Sequence, residues 1–233
     1  KIDYLIDNIE FDNTAFIYFT SGSTGVSKGI KISHKNIISD VFAQVTHLHN
    51  FSLNKNSKQL VFGDYYDTAF SIFFDIFFPA IYLKAAISPG LKKEEILLPI
   101  DHCKKNQVNV LVAVPSTIQR IKIYNDKKKI DHQFNSIIMT GEPFYLNVLK
   151  YLFDYFKSKK IFNCYGGTEM GNWVYYHQCK KSDLKDYKNL NLVPIGKPFF
   201  NVKTKIANKE LIVAGPMITL GYVNSDLNYK KFI

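Results

Sequence analysis

The stretch Thr20-Ser21-Gly22-Ser23-Thr24-Gly25-Val26-Ser27-Lys28-Gly29 restricts the chain more than any other. Glycines at this spacing let a backbone bend sharply and bring amide N–H groups close to an anion. The neighbouring hydroxyls add donors that can follow a phosphate as it moves, and Lys28 adds a point charge. Residues 15–20 read as a strand running into this loop. A helix is expected over residues 33–49, with Ser33 as its N-cap. A Walker A loop needs a lysine directly after its last glycine. Val26 stands there instead, so that class of phosphate loop is excluded.

The rest of the chain alternates short apolar runs with helical stretches, the pattern of an α/β fold with mostly parallel sheets flanked by helices. Strands are predicted at residues 60–62, 108–114, 136–140 and 160–164. Helices are predicted at 68–83, 94–105, 115–123 and 145–156. The polar stretch 124–133 reads as a boundary between two sub-lobes, residues 1–123 and 134–192. From residue 193 to 233 the character changes to the start of a β-rich lobe, with 202–206 and 210–214 an antiparallel pair turning at Asn208-Lys209.

Apolar residues make up 46% of the 233 and charged residues 21%, which excludes wholesale disorder. The formal charge of +10 raises nucleic acid as a partner. Almost all the excess is lysine in short runs such as Lys127-Lys128-Lys129, with Arg120 the sole arginine. Base readers favour arginine forks, so a solvated lysine surface is the expectation, without nucleic acid. Cys103, Cys164 and Cys179 form no CxxC pair, which fits a reducing cytoplasm. No signal peptide is read at the start of the chain. The most apolar run, 70–87, carries Asp75, Pro79 and Lys84 and reads as a buried helix, not a membrane span.

The ordered TSGSTGxxKG string resembles the first signature of the adenylate-forming enzymes: acyl-CoA synthetases, luciferases, peptide-synthetase adenylation domains and aminoacyl-carrier ligases. A His-x-Asn element follows in that family, here His34 and Asn36, with His34 read as a structural residue at a helix start. Asn163-Cys164-Tyr165-Gly166-Gly167-Thr168-Glu169 is similar to the family's NxYGxTE, with Gly167 where proline is frequent. Gly141-Glu142 matches its GE step. Glu210-Leu211 through Gly221-Tyr222-Val223-Asn224 to Phe232 matches its GEL…GYxN segment, with Lys209 replacing a glycine.

The resemblance implies ATP and Mg²⁺ as cofactors, and ATP or AMP held by Thr20, Ser21, Gly22, Ser23, Thr24, Gly25 and Lys28. It further implies Asn163 at the adenine amino edge and Tyr165 stacked on the ring. The Gly141-Glu142 backbone would line the adenine pocket, and Gly166, Gly167 and Thr168 would lie along the α-phosphate. Glu169 would hold the magnesium, and Thr20, Lys28 and Glu169 would be the catalytic set. The implied reaction makes an acyl-adenylate and pyrophosphate. Transfer to a thiol then follows, on coenzyme A or a carrier-protein phosphopantetheine. The family continues past residue 233 into an aspartate that grips ribose and a mobile domain bearing a lysine. The chain is therefore expected to be a catalytically incomplete core.

Tyr66-Asp67-Thr68-Ala69 is similar to the FDxS by which amino-acid-activating relatives hold an ammonium group. That favours an amino acid as the carboxylic acid activated, with Thr68, Ser71 and Thr140 as pocket candidates. Asp67 as a mere cap of the helix from residue 68 stays open. So do a fatty- or aryl-acid–CoA synthetase and a non-catalytic nucleotide-binding relative.

Overall fold

The structure is a computed structural model that describes residues 10–20, 27–49, 59–156, 158–224 and 226. Its centre is a seven-stranded sheet with β3 (Val61–Asp64), β4 (Ala86–Pro89), β5 (Val110–Ala113), β6 (Ser136–Met139), β7 (Lys160–Gly167), β8 (Asn172–Gln178) and β9 (Lys197–Pro198). The spatial order is β4-β3-β5-β6-β7-β8-β9. The first five strands are parallel, while β8 and β9 run antiparallel to their neighbours.

The apolar strands alternate their side chains between two faces, as a period of two requires. Leu111, Ile137, Met139 and Ile161 face one core cluster with Ile118, Ile121, Leu149 and Leu152. These last four lie on α5 (Pro115–Lys128) and α6 (Leu146–Tyr155). Val110, Val112, Ile138 and Phe162 face the other cluster, against Ala43, Ile76 and Ala80. Those belong to α1 (His34–Gln44) and α2 (Ile72–Tyr82). Burial on both faces is why the strands read as continuous apolar runs. Two short helices, α3 (Lys93–Leu97) and α4 (Ile100–Lys105), lie between β4 and β5.

β1 (Thr14–Thr20) and β2 (Lys28–Ser33) form a separate antiparallel ribbon. Tyr18, Ile30 and Ile32 pack it onto Phe74 of α2, together with Tyr222. β10 (Lys203–Ala207) and β11 (Glu210–Ala214) form a second ribbon, turning at Asn208 and Lys209 with φ of 51° and 65°. Two positive φ values in a two-residue hairpin make a type I′ turn.

Several expectations need correction. Residues 124–133 do not divide the sheet: α5 extends through Lys128, and β5 and β6 on either side pair directly, Leu111 with Ile137. β9 lies after residue 193 yet joins the main sheet. The helix expected at 94–105 is broken at Pro99, which removes an N–H from the ladder. α1 passes into a π-turn at Val45–His49. Among the described residues no helix is long and apolar enough to cross a membrane.

Candidate active site

In a parallel sheet, loops leaving the carboxyl ends of the strands share one edge, and ligands collect where the strand order reverses. Here β4 lies on one side of β3 and β5 on the other. The segments after β3, β5, β6 and β7 carry Asp67 to Ser71, Ser116, Thr140 to Glu142, and Thr168 to Glu169.

The ribbon reaches the same edge. Thr20 and Lys28 face each other as its last cross-strand pair. Ser21, Gly22, Ser23, Thr24 and Gly25 lie outside the described residues. A segment at 220–223 runs along β2, with Lys31 N donating to Gly221 O at 2.9 Å and Val223 N to Gly29 O at 2.8 Å. This places Tyr222, whose hydroxyl donates to Glu169 Oε1 at 2.8 Å. The Lys28 ammonium lies 5.6 Å from the Tyr222 ring centroid, within cation–π range. Thr219 Oγ1 donates to the Glu169 carbonyl at 2.9 Å. Burial, then the hydrogen bond and charge of Glu169, push the Tyr222 phenol up to about 12, so it remains a donor at neutral pH. In the sequence Tyr222 stands inside the GYxN segment with no role evident from its neighbours.

Asn36 explains the position of that segment. It completes a capping box with Ser33, accepting from Ser33 N at 2.8 Å and donating its own N–H to Ser33 Oγ at 3.1 Å. Its side-chain amide then donates to Pro216 O and Ile218 O at 2.9 and 2.7 Å. The start of α1 is thus tied to the segment that carries Thr219 and Tyr222.

The turn Thr168–Met170 follows β7 as a 3₁₀ helix. Thr168 Oγ1 and Ser71 Oγ are 3.0 Å apart, which links this turn to the start of α2. A Cβ on Gly166 would fall 1.6 Å from Asn172 O, so the β7–β8 approach demands glycine there. Gly167 has φ −168°, extended backbone that proline, held near about −65°, cannot adopt. This accounts for glycine at that position in this chain.

Asp67 is exposed, and its Oδ1 accepts from Ala69 N at 2.8 Å. It caps a local turn and not α2, which begins at Ile72 without a side-chain cap. An ammonium partner is therefore not needed to offset burial of this carboxylate. Thr68 is exposed, with its carbonyl accepting from the Tyr18 hydroxyl at 3.0 Å. Thr140 is buried, its N–H donating to Ala113 O.

At the end of β7, Tyr165 is 40% exposed. Asn163 is buried, and its amide donates to Val193 O and Pro194 O at 3.2 and 3.0 Å. Those donors hold the 193–194 segment. Gly141 has φ 79°, the left-handed region that favours glycine. The turn it makes lets Glu142 accept from Ser116 N and Ser116 Oγ, both at 2.9 Å. Val114, the N-cap of α5, offers no side-chain cap, so Glu142 caps that helix from another loop. Glu142→Ala is expected to lower stability by about 1 kcal/mol in denaturant unfolding, as loss of a cap does. Glu142→Gln should recover most of it, and an unchanged midpoint in the alanine variant would remove the capping role.

Beneath this edge, α1 and α2 bury two carboxylates. Gln44 Nε2 donates to Asp40 Oδ2 at 2.8 Å and Asp75 Oδ1 at 2.7 Å. Among the described residues, Asp40 Oδ1, Asp75 Oδ2 and Gln44 Oε1 have no hydrogen-bond partner. Burial pushes Asp40 up to about 8, and burial with the charge of Asp40 raises Asp75 well above its usual range.

The Glu169 carboxylate fits a hard cation. Tyr222 takes one oxygen, and among the described residues nothing donates to the other. Oxygen donors of this kind suit magnesium.

The model of the family described as AMP-binding enzyme matches residues 5–223. A D-alanine–D-alanyl carrier protein ligase of Lactococcus lactis is 26% identical over 91% of this chain and 41% of its own. The Vibrio cholerae adenylation domain AlmE, solved with glycyl-adenosine-5'-phosphate, superposes with TM-score 0.76 at 20% identity. That match covers 99% of this chain and 45% of that one. The o-succinylbenzoate coenzyme A synthetase of Bacillus subtilis, solved with ATP and magnesium ion, gives 0.72 at 18%, over 94% and 44%. The chain spans less than half the length of the curated relatives it matches. A match running from residue 5 to residue 223, on a fold shared with adenylation domains, means that the chain belongs to the AMP-binding enzyme family.

Proposed function

We propose that this chain is the nucleotide-handling core of an AMP-forming ligase that activates an amino acid as its aminoacyl-adenylate and passes it to a thiol. The observation that carries this reading is the convergence of Lys28, Tyr222 and Glu169 at the end of the ribbon, with Thr168 on the same turn as Glu169. One cation, one oriented carboxylate and one hydroxyl meet where the phosphate loop departs and returns.

In the reaction, a substrate carboxylate oxygen attacks the α-phosphorus of ATP, a new P–O bond forms, and the bond to pyrophosphate breaks. The protein's task is positioning and neutralisation of charge. Thr20, Lys28 and the loop hydroxyls cradle the phosphates. Thr168 reaches the α-phosphate, and Glu169, oriented by Tyr222, holds Mg²⁺. When bound, Mg²⁺ would supply positive charge beside the phosphates. Tyr165 offers its exposed face to adenine beside the Gly141-Glu142 backbone. Asn163 acts by fixing residues 193–194 against the same end. Asp67, Thr68, Ser71 and Thr140 are the candidate contacts for the acid.

The choice of an amino acid rests on the motif around Asp67 and on the relative named as a D-alanine ligase. The thiol is a carrier-protein phosphopantetheine or coenzyme A. The test is ATP–pyrophosphate exchange by the full-length protein across amino, fatty and aryl acids. Exchange driven by one or a few amino acids is expected. Exchange driven only by fatty or aryl acids would overturn the substrate class, and none with any acid would overturn the activity.

A further inference from the structure

One group of potential metal ligands lies away from the nucleotide edge. β8 ends with His177 and Gln178, Cys179 follows, and Asp183 opens the short helix α7 (Asp183–Asp186). The ligand atoms of His177, Cys179 and Asp183 all lie within 4.8 Å of one another. His177 Nε2 and Asp183 Oδ2 are already 2.8 Å apart. Cys179 and Asp183 are buried, and His177 is partly exposed, so one side of the group stays open. The backbone is well fixed: Cys179 N donates to Ile161 O at 2.8 Å, and Lys180 N to Asp183 Oδ2 at 2.8 Å.

We propose that His177, Cys179 and Asp183 form a zinc site that pins the α7 segment to the edge of β8. One thiolate, one imidazole and one carboxylate make a mixed donor set suited to Zn²⁺. Metal–ligand bonds of about 2.0–2.3 Å in a tetrahedron put ligand atoms roughly 3.5 Å apart. The widest gap, at most 4.8 Å, therefore closes by about 1 Å, the 2.8 Å His177–Asp183 pair opens by less than about 1 Å, and water takes the fourth position on the open side. Binding releases the thiol proton. The imidazole would bind through Nε2, which turns from Asp183 to the metal and carries no proton once bound. The site would bear on the nucleotide end through one contact, because His177 pairs across the ladder with Asn163, which holds the 193–194 carbonyls.

The experiment is titration of metal-free protein with Co²⁺, followed by displacement with Zn²⁺. One equivalent is expected to bind with a thiolate-to-cobalt charge-transfer band, and zinc should raise Tm. His177→Gln can still donate to Asp183, so the fold should persist by circular dichroism. Co²⁺ affinity should fall by more than about 100-fold, beyond the loss of an outer-shell partner. Cys179→Ser should abolish the band, while Cys103→Ala should keep it. Absence of the band in the parent protein, or its persistence in Cys179→Ser or His177→Gln, would overturn the proposal. It would leave a His–Asp hydrogen bond beside a buried thiol.

Discussion

Glu169→Gln is expected to lower pyrophosphate exchange by the full-length protein about 10²–10³-fold, the usual cost of removing one preorganised charge stabiliser. The amide is nearly isosteric and keeps an oxygen for the Tyr222 hydroxyl, which donates to Glu169 Oε1 at 2.8 Å. The turn and the 219–222 segment should therefore stay in place, and the loss should appear in turnover more than in folding. Tyr222→Phe provides the contrast. It removes the orienting donor but leaves the charge, so its effect should be smaller and should grow as Mg²⁺ is lowered. Exchange at parental rates in Glu169→Gln would mean that the metal is held elsewhere.

The second large effect concerns stability. Asp40 and Asp75 are buried and share the amide donor of Gln44, and Asn172 Nδ2 reaches Asp75 Oδ1 at 3.5 Å. In the folded chain Asp40 keeps its proton up to about 8, whereas an unfolded aspartate loses it near about 4. The folded state thus binds more protons across that window. Stability from this pair is fully present below pH ~4 and is lost as pH rises through ~8, by at most about 1.4 kcal/mol per pH unit for each carboxylate. Tyr18 and Cys164, the other titratable groups facing the pair, are pushed upward by burial and stay neutral over this range. Asp40→Asn removes one carboxylate and gives Asp75 another amide donor. The variant should match the parent near pH 4 and exceed it increasingly toward pH 8. Parallel Tm–pH curves for the two proteins would refute proton retention by the buried pair.

What the sequence conveyed and what it hid follow from how local each signal is. Ser33 is legible as a cap because its partner, Asn36, is three residues away. The parallel strands are legible because burial on both faces leaves unbroken apolar runs. Strand β8 went unread: Asn172–Gln178 mixes aromatic and polar residues, and its antiparallel pairing depends on the close approach at Gly166. Glu142 was read for its backbone, while its side chain caps a helix 26 residues earlier in the chain. Tyr222 meets Glu169 across 53 positions and Lys28 across a much longer stretch of chain. No local pattern announces contacts at that distance. Asp67 misled because an Asx turn and a helix cap share one sequence signature; the helix starts five residues later.

The pairing of Thr20 with Lys28 has a consequence for the loop between them. Closing a loop costs entropy that grows only slowly with length, about 0.6 kcal/mol per doubling. Here the ribbon's own hydrogen bonds and its packing on Phe74 meet that cost before any nucleotide arrives. A few residues inserted between the paired ends would leave the ribbon standing. They would instead dilute the amide and hydroxyl donors, lowering their effective concentration around a phosphate as a longer tether does. Loop length would then act as a dial on nucleotide affinity, separable from the stability of the domain that carries it.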